Sequence, residues 1–119
     1  MVGAVLSARF YRAASGNEPV REWLKSLLPS DRRIVGYDIG LVEDGWPLGM
    51  PVCRSLGRGL WEVRSTISDR RIARVIFTID GATMLLLHGL IKKSQKTPKG
   101  DVDTAMARLR NAQARLGHG

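Results

Sequence analysis

The sequence predicts an α+β fold: a small antiparallel β-sheet with two N-terminal helices packed on it and a C-terminal helix. Three observations carry this. Apolar residues recur at helical spacing between Asn17 and Gly45, strand-like runs follow a Pro- and Gly-rich connector from Gly45 to Gly59, and helical spacing returns after Thr97. One sheet with helices laid on it is the simplest way to bury both the helical stripes and a strand face. At 119 residues and 44% hydrophobic content, the chain suits a single folded domain over residues 1–119 rather than a disordered basic tail.

Each element has its own signal. From Val5 to Tyr11, Leu6, Ala8 and Phe10 alternate against Ser7, Arg9 and Tyr11, as in a strand. Asn17 is the expected cap of a first helix, with Pro19 in its first turn and Val20, Trp23, Leu24, Leu27 and Leu28 forming one stripe. Pro29 ends that helix and Ser30 caps a second, where Ile34, Leu41 and Val42 are the apolar positions and Gly45 followed by Pro47 is the stop. Gly36 and Gly40 weaken it; their spacing suits a close helix-helix approach and equally a frayed or broken helix. Leu60 to Ile67, Ile72 to Ile79 and Thr83 to Ile91 read as three strands of a meander, separated by Ser68-Asp69-Arg70 and Asp80-Gly81. Thr97 to Leu116 reads as the last helix, capped by Thr97, with Pro98 first and Val102, Ala105, Met106, Leu109 and Leu116 on one face.

Composition excludes several classes. The longest apolar run, Met84 to Leu87, has four residues, far short of the roughly 20 a membrane helix needs. The N-terminus lacks a basic segment ahead of a long apolar stretch, which argues against a secretory signal. A single cysteine, Cys53, allows neither an internal disulfide nor a cysteine metal cluster, as expected of a cytoplasmic protein. His88 and His118 lack ligand spacing, so neither a metal nor another cofactor is expected.

The charge is uneven. The chain carries +8 overall, and the stretch from Arg54 to Lys99 holds ten basic and three acidic residues against nine and eight elsewhere. A solvated, solubilising face is the plain explanation; a polyanionic partner is the other. If the first hairpin loop is centred on Asp69, Arg64 stands directly opposite Arg74, with Glu62 on the same face. Like charges facing each other destabilise a sheet. Either Glu62 gathers the arginines into a structural ion-pair cluster, or both serve a phosphate, which the guanidinium fork binds bidentately. A two-residue Asp80-Gly81 turn would put Arg74 opposite Leu87 and His88 opposite Ala73. On that register His88 shares the core face with Val75, Phe77, Met84 and Leu86, as a hydrogen-bonded interior histidine more readily than as a catalytic base; a one-residue slip reverses this. Lys92, Lys93 and Lys96 fall where the chain leaves the sheet, either as an ordinary loop or reaching round the sheet edge.

In order, Leu60-Trp61-Glu62-Val63-Arg64-Ser65, Arg74-Val75-Ile76-Phe77 and Leu86-Leu87-His88-Gly89-Leu90-Ile91-Lys92-Lys93-Ser94-Gln95-Lys96-Thr97-Pro98 resemble the phage-derived, HigB-like branch of the RelE toxin superfamily, over roughly Phe10 to Arg110. The resemblance implies a small antiparallel sheet with helices on one side. It also implies the toxin of a type II toxin-antitoxin pair: an endoribonuclease that cuts messenger RNA at the ribosome and is neutralised by an antitoxin, typically a helix-turn-helix DNA-binding protein. Arg64 and Arg74 match the family's basic strand positions, and Lys92, Lys93 and Lys96 its basic cluster after the last strand. For such a reaction the residues assign Arg64 and Arg74 to the phosphate, a lysine of the cluster, Lys93, as proton donor, and Glu62 or His88 as base. Arg54, Arg58, Arg70, Arg71, Lys92, Lys96 and Lys99 would bind RNA. Some relatives have a C-terminal tyrosine near the site; the tyrosines here, Tyr11 and Tyr37, lie far upstream. The other function class is a non-catalytic basic module that binds RNA or an antitoxin, as an inactive toxin relative or a phage accessory protein.

Overall fold

The computed structural model describes residues 5–115. Its elements are β1 (Ser7–Phe10), α1 (Pro19–Ser26), α2 (Pro29–Gly45), β2 (Cys53–Gly57), β3 (Leu60–Thr66), a short 3-10 turn (Ser68–Arg70), β4 (Ile72–Asp80), β5 (Thr83–Lys92) and α3 (Lys99–Arg115). Five strands form one sheet in the order β1-β5-β4-β3-β2. The three meander strands lie where expected. Among the described residues no helix is long and apolar enough to cross a membrane.

Two features of the sheet differ from the expectation. It is mixed rather than antiparallel, because β1 runs parallel to β5; α1 and α2 intervene before the meander, so no tight turn fixes the direction of β1. The connector also contains β2, an edge strand with a bulge between Ser55 and Gly57. Its Cys53 is buried while Arg54 and Ser55 are exposed, too short a pattern to register as a strand. The turn into β3 places Arg58 and Gly59 at φ +55° and +82°, the pair of positive values that a two-residue hairpin loop matching strand twist requires.

Alternation along the strands sends apolar side chains to both faces. On one face Val63, Val75, Phe77, Met84 and Leu86 pack with Val20 of α1 and Val35, Ile39 and Val42 of α2. Trp46 meets Trp61 and Phe77 edge-on, with ring centroids 5.2 and 5.7 Å apart. On the other face Leu60, Ile76, Leu87 and Leu90 pack with Ala105, Leu109 and Ala112 of α3. Residues Ala73 to Thr78 of β4 are therefore buried without a break. The helices occupy both sides of the sheet, not one. Leu116, placed on the α3 stripe by the sequence, lies outside the described residues.

Helix starts shift by a residue or two. Glu18 precedes α1 and Leu28 precedes α2, so Pro29 opens the second helix instead of ending the first. The buried side of α2 is Asp31, Val35, Ile39 and Val42, which turns Ile34 outward, and Leu28 is also exposed. Helix α2 runs unbroken through Gly36 and Gly40, with nothing packed against either. Buried Asp31 accepts hydrogen bonds from the Ser68 amide (3.2 Å) and hydroxyl (2.9 Å), tying the β3–β4 turn to α2.

The β4–β5 register is the main correction. The two-residue loop is Gly81-Ala82, since Asp80 pairs with Thr83, and a bulge beside Ile76 and Phe77 adds a residue to β5. Phe77 pairs with Leu86 while Ile76 pairs with His88, so Leu87 is the extra residue. Arg74 therefore faces Leu90, not Leu87, and His88 faces Ile76, not Ala73. The slip takes His88 off the α1–α2 core face and onto the face shared by Arg74 and α3. It also puts Gly89 against α1, where the Trp23 ring lies directly on the backbone: a Cβ at Gly89 would stand 2.3 Å from Trp23 Cε3.

Gly89→Ala is expected to cost roughly 1–3 kcal/mol in urea unfolding, because a whole indole must shift. In the double variant with Trp23→Ala the cost should fall short of the sum of the singles. Burial, reinforced by the charge of Glu62, pushes the Cys53 thiol up to about 11. Its folded value is above its unfolded one, so its contribution to stability is full below pH ~9 and lost as pH rises to ~11. Urea midpoints should thus fall less steeply over that range in Cys53→Ala than in the wild type.

Candidate functional site

The β3–β4 register places Arg64 directly opposite Arg74, on the face that α3 partly covers. Glu62 lies two residues along β3 on that same face, across from exposed Arg54 on β2. Beyond β5 the segment 93–98 folds back over this row. Arg74 Nη1 donates to Thr97 Oγ1 at 3.0 Å and Nη2 to the Ser94 carbonyl. Thr97 Oγ1 in turn donates to Glu62 Oε2 at 2.5 Å. Arg64 Nη2 donates to both oxygens of Gln95, the carbonyl at 3.2 Å and Oε1 at 3.0 Å, while its Nη1 sits 3.9 Å from Glu62 Oε1.

Burial separates the two arginines. Arg74 and Glu62 are 0% exposed. Burial pushes the Arg74 guanidinium below its ordinary value, Glu62 opposes that shift, and Arg64 and Arg54 add to it. Arg74 is thus an internal anchor that pins the loop. The Arg64 side chain, 7% exposed, instead lines a cleft of about 370 Å³ at the end of the sheet. Met50, Pro51, Val52 and Ile72 form its apolar wall; Asp38, Arg64, Thr66 and Gln95 are its polar groups.

The remaining basic residues fall into groups. Lys92, Lys93 and Lys96 are exposed on or beside the pinned loop, and Lys99 pairs with Asp103 at 2.8 Å on the first turn of α3. Arg54 is exposed beside Glu62. Arg70 is exposed in the β3–β4 turn, whereas Arg71 bonds Ser68 and Asp31. Arg58 lies in the β2–β3 turn, at the end of β3 opposite Arg64, where its charge acts on Asp103 of α3.

His88 bridges β5 and α3. Its Nε2 lies 2.7 Å from Asp101 Oδ1, and Arg108 Nη1 lies 3.2 Å from its Nδ1. A guanidinium only donates, so Nδ1 accepts and the proton resides on Nε2 facing Asp101. Both ring nitrogens are committed. Glu62 likewise shows no exposed surface.

Three contributors escaped sequence reading. Thr97 appeared as a helix cap, but the amides of Asp101 and Val102 bond the Pro98 carbonyl instead, leaving the Thr97 hydroxyl to link Arg74 and Glu62. Gln95 stood within the recognised motif without a role. Asp38 on α2 accepts from Ser65 Oγ at 2.7 Å and lines the cleft; no spacing in the sequence joins it to Arg64.

The family model "Phage derived protein Gp49-like (DUF891)" matches residues 22–110, which include all of the cleft and the pinned loop. No curated protein matches the chain.

Removing one member of the buried Arg74–Thr97–Glu62 link leaves a charge without compensation. Glu62→Ala and Arg74→Ala are each expected to cost about 3–5 kcal/mol, and the pair together clearly less than the sum. Thr97→Val should cost about 1–3 kcal/mol and raise amide exchange in residues 93–97. Urea unfolding and hydrogen exchange measure both.

Proposed function

Since the chain belongs to the phage-derived Gp49-like family, a RelE/HigB-type toxin family, we propose that it is the toxin of a type II toxin-antitoxin pair, an endoribonuclease that cuts messenger RNA on the ribosome. Its partners on this reading are RNA, the ribosome and a cognate antitoxin, typically of helix-turn-helix type. The observation that carries it is the pinned loop: buried Arg74 and Glu62 hold residues 93–98, whose Gln95 bonds Arg64 at the cleft and is flanked in the chain by exposed Lys93 and Lys96.

The reaction needs no metal, because RNA supplies its own nucleophile. The 2′-oxygen loses its proton to solvent water and attacks the adjacent phosphorus, the bond to the 5′-oxygen breaks, and that oxygen takes up a proton. The products are a 2′,3′-cyclic phosphate and a 5′-hydroxyl. Arg64 stabilises the charge that builds on the phosphoryl oxygens, with a phosphate oxygen replacing Gln95 Oε1. Lys93 protonates the leaving oxygen, and Lys92, Lys96, Lys99, Arg54 and Arg70 hold the RNA backbone. Arg74 and Glu62 act as positioning residues. With Glu62 enclosed and both nitrogens of His88 engaged, in-line alignment on the ribosome supplies much of the acceleration.

That sequestration also favours a second reading, a non-catalytic module that binds RNA or an antitoxin. Induced expression separates the two. The toxin reading expects growth arrest and new message ends bearing 5′-hydroxyls, with Arg64→Ala lowering cleavage by about 10²–10³ while its melting temperature stays near wild type. A wild type that binds RNA in a salt-sensitive way and cuts nothing supports the second reading. A folded Arg64→Ala that cuts normally refutes the site.

A further inference from the structure

The cleft beside Arg64 has a mixed lining. Arg64 reaches it from the α3 side of β3 and Asp38, bonded to the neighbouring Ser65, from the α2 side, with Met50, Val52 and Ile72 as an apolar wall. A phosphate alone would be repelled by Asp38, and an apolar ligand would leave both charges unsatisfied. A ligand matching all three features has an anion at one end, a flat apolar ring, and hydrogen-bond donors at the far edge of that ring. A nucleotide meets this description, and about 370 Å³ is within the usual range for small-ligand sites.

We infer that the cleft receives one unpaired guanine nucleotide of an RNA strand, its phosphate on Arg64 and its base edge on Asp38. A carboxylate only accepts. Among the four bases guanine alone presents two adjacent donors, N1–H and N2–H, on its pairing edge, which matches the two oxygens of a carboxylate. The 2.7 Å bond from Ser65 Oγ to Asp38 Oδ2 fixes that carboxylate on half-buried α2 and takes one of its four lone-pair sites, so Oδ1 and the second lone pair of Oδ2 are the acceptors for the two guanine donors. Asp38 therefore determines base specificity, a role separate from the phosphate chemistry. The inference rests on the RNA-cleavage reading only for its substrate class, and binding tests it apart from cleavage.

Calorimetric titration of the purified chain with the four ribonucleoside 3′-monophosphates is the first test. Guanosine 3′-monophosphate should bind at least about fivefold more tightly than the other three. Asp38→Asn should abolish that preference and leave the other three nucleotides binding as tightly as before or more tightly, since the carboxylate's repulsion of the phosphate is gone. Arg64→Ala should weaken all four alike. Thermal melting of each variant checks its fold, and Ser65→Ala, which frees the carboxylate to rotate, should reduce the preference without abolishing it. A pentaribonucleotide with a central guanine should bind more tightly than the mononucleotide, because Lys92, Lys93 and Lys96 meet the flanking phosphates. Equal binding of all four nucleotides, or a guanine preference that survives in Asp38→Asn, overturns the inference. A pentamer that binds no better than the mononucleotide overturns the RNA assignment. Guanine binding without message cleavage sinks the nuclease reading alone; cleavage without guanine preference sinks this inference alone.

Discussion

A guanidinium with no exposed surface sets the conditions for the rest of this structure. Arg74 sits in the middle strand region directly opposite a second arginine, and taking such a cation out of water costs several kcal/mol unless its donors and its charge are met. The chain meets the two terminal nitrogens and the charge, though not Nε, with three groups distant in sequence: the Ser94 carbonyl, the Thr97 hydroxyl and, through that hydroxyl, the Glu62 carboxylate. Because Thr97 is drawn down to the sheet, Pro98 is left to supply the carbonyl on which α3 starts. The loop's path and the point at which α3 lands on the second face follow from the same requirement.

Strand β5 carries the complementary constraint. It must place Leu86 in one core, Leu87 and Leu90 in the other, and a histidine where polar partners exist. Strict alternation would send His88 into the apolar α1–α2 core. One extra residue at Leu87 turns it instead toward Asp101 and Arg108, and the following residue faces α1 as a glycine, beneath an indole that leaves no room for a side chain. The bulge thus separates a packing requirement from a polar one within five residues, and it braces the first turns of α3 against the sheet.

Much of this was legible in the sequence, in ways that depend on range. The three meander strands, both N-terminal helices and the Arg64–Arg74 pairing follow from local periodicity and one turn, which are short-range signals. The parallel β1 and the edge strand β2 were not legible: the first depends on where a chain returns after two helices, the second has a single buried apolar residue at its start. The bulge escaped because a local run such as Met-Leu-Leu-Leu-His-Gly-Leu contains no mark of which residue is extra. At the site, charge and motif pointed to Arg64, Arg74 and the lysines, but they could not divide the arginines into a buried anchor and a cleft-facing one. Asp38 comes to line the same cleft as Arg64 only through the packing of α2 on β3, a relation that no spacing encodes.

The burial of this pair also bears on why the chain is basic. Charge that served only to keep a surface solvated would be carried outward, as on Arg54, Lys92, Lys93 and Lys96. Arg64 is different. It is nearly enclosed, stands across from a second cation, and has its nearest carboxylate at 3.9 Å on an oxygen that makes no hydrogen bond. The carboxylate nearest the two arginines, Glu62, is already bound through Thr97 to Arg74, so these three side chains together retain net positive charge. Partial enclosure lowers the effective dielectric around it and strengthens its field in the cleft. Gln95 supplies neutral oxygens that satisfy the donors without cancelling that charge. An anionic oxygen entering the cleft would satisfy both the hydrogen bonds and the charge, which a neutral side chain of the loop cannot do.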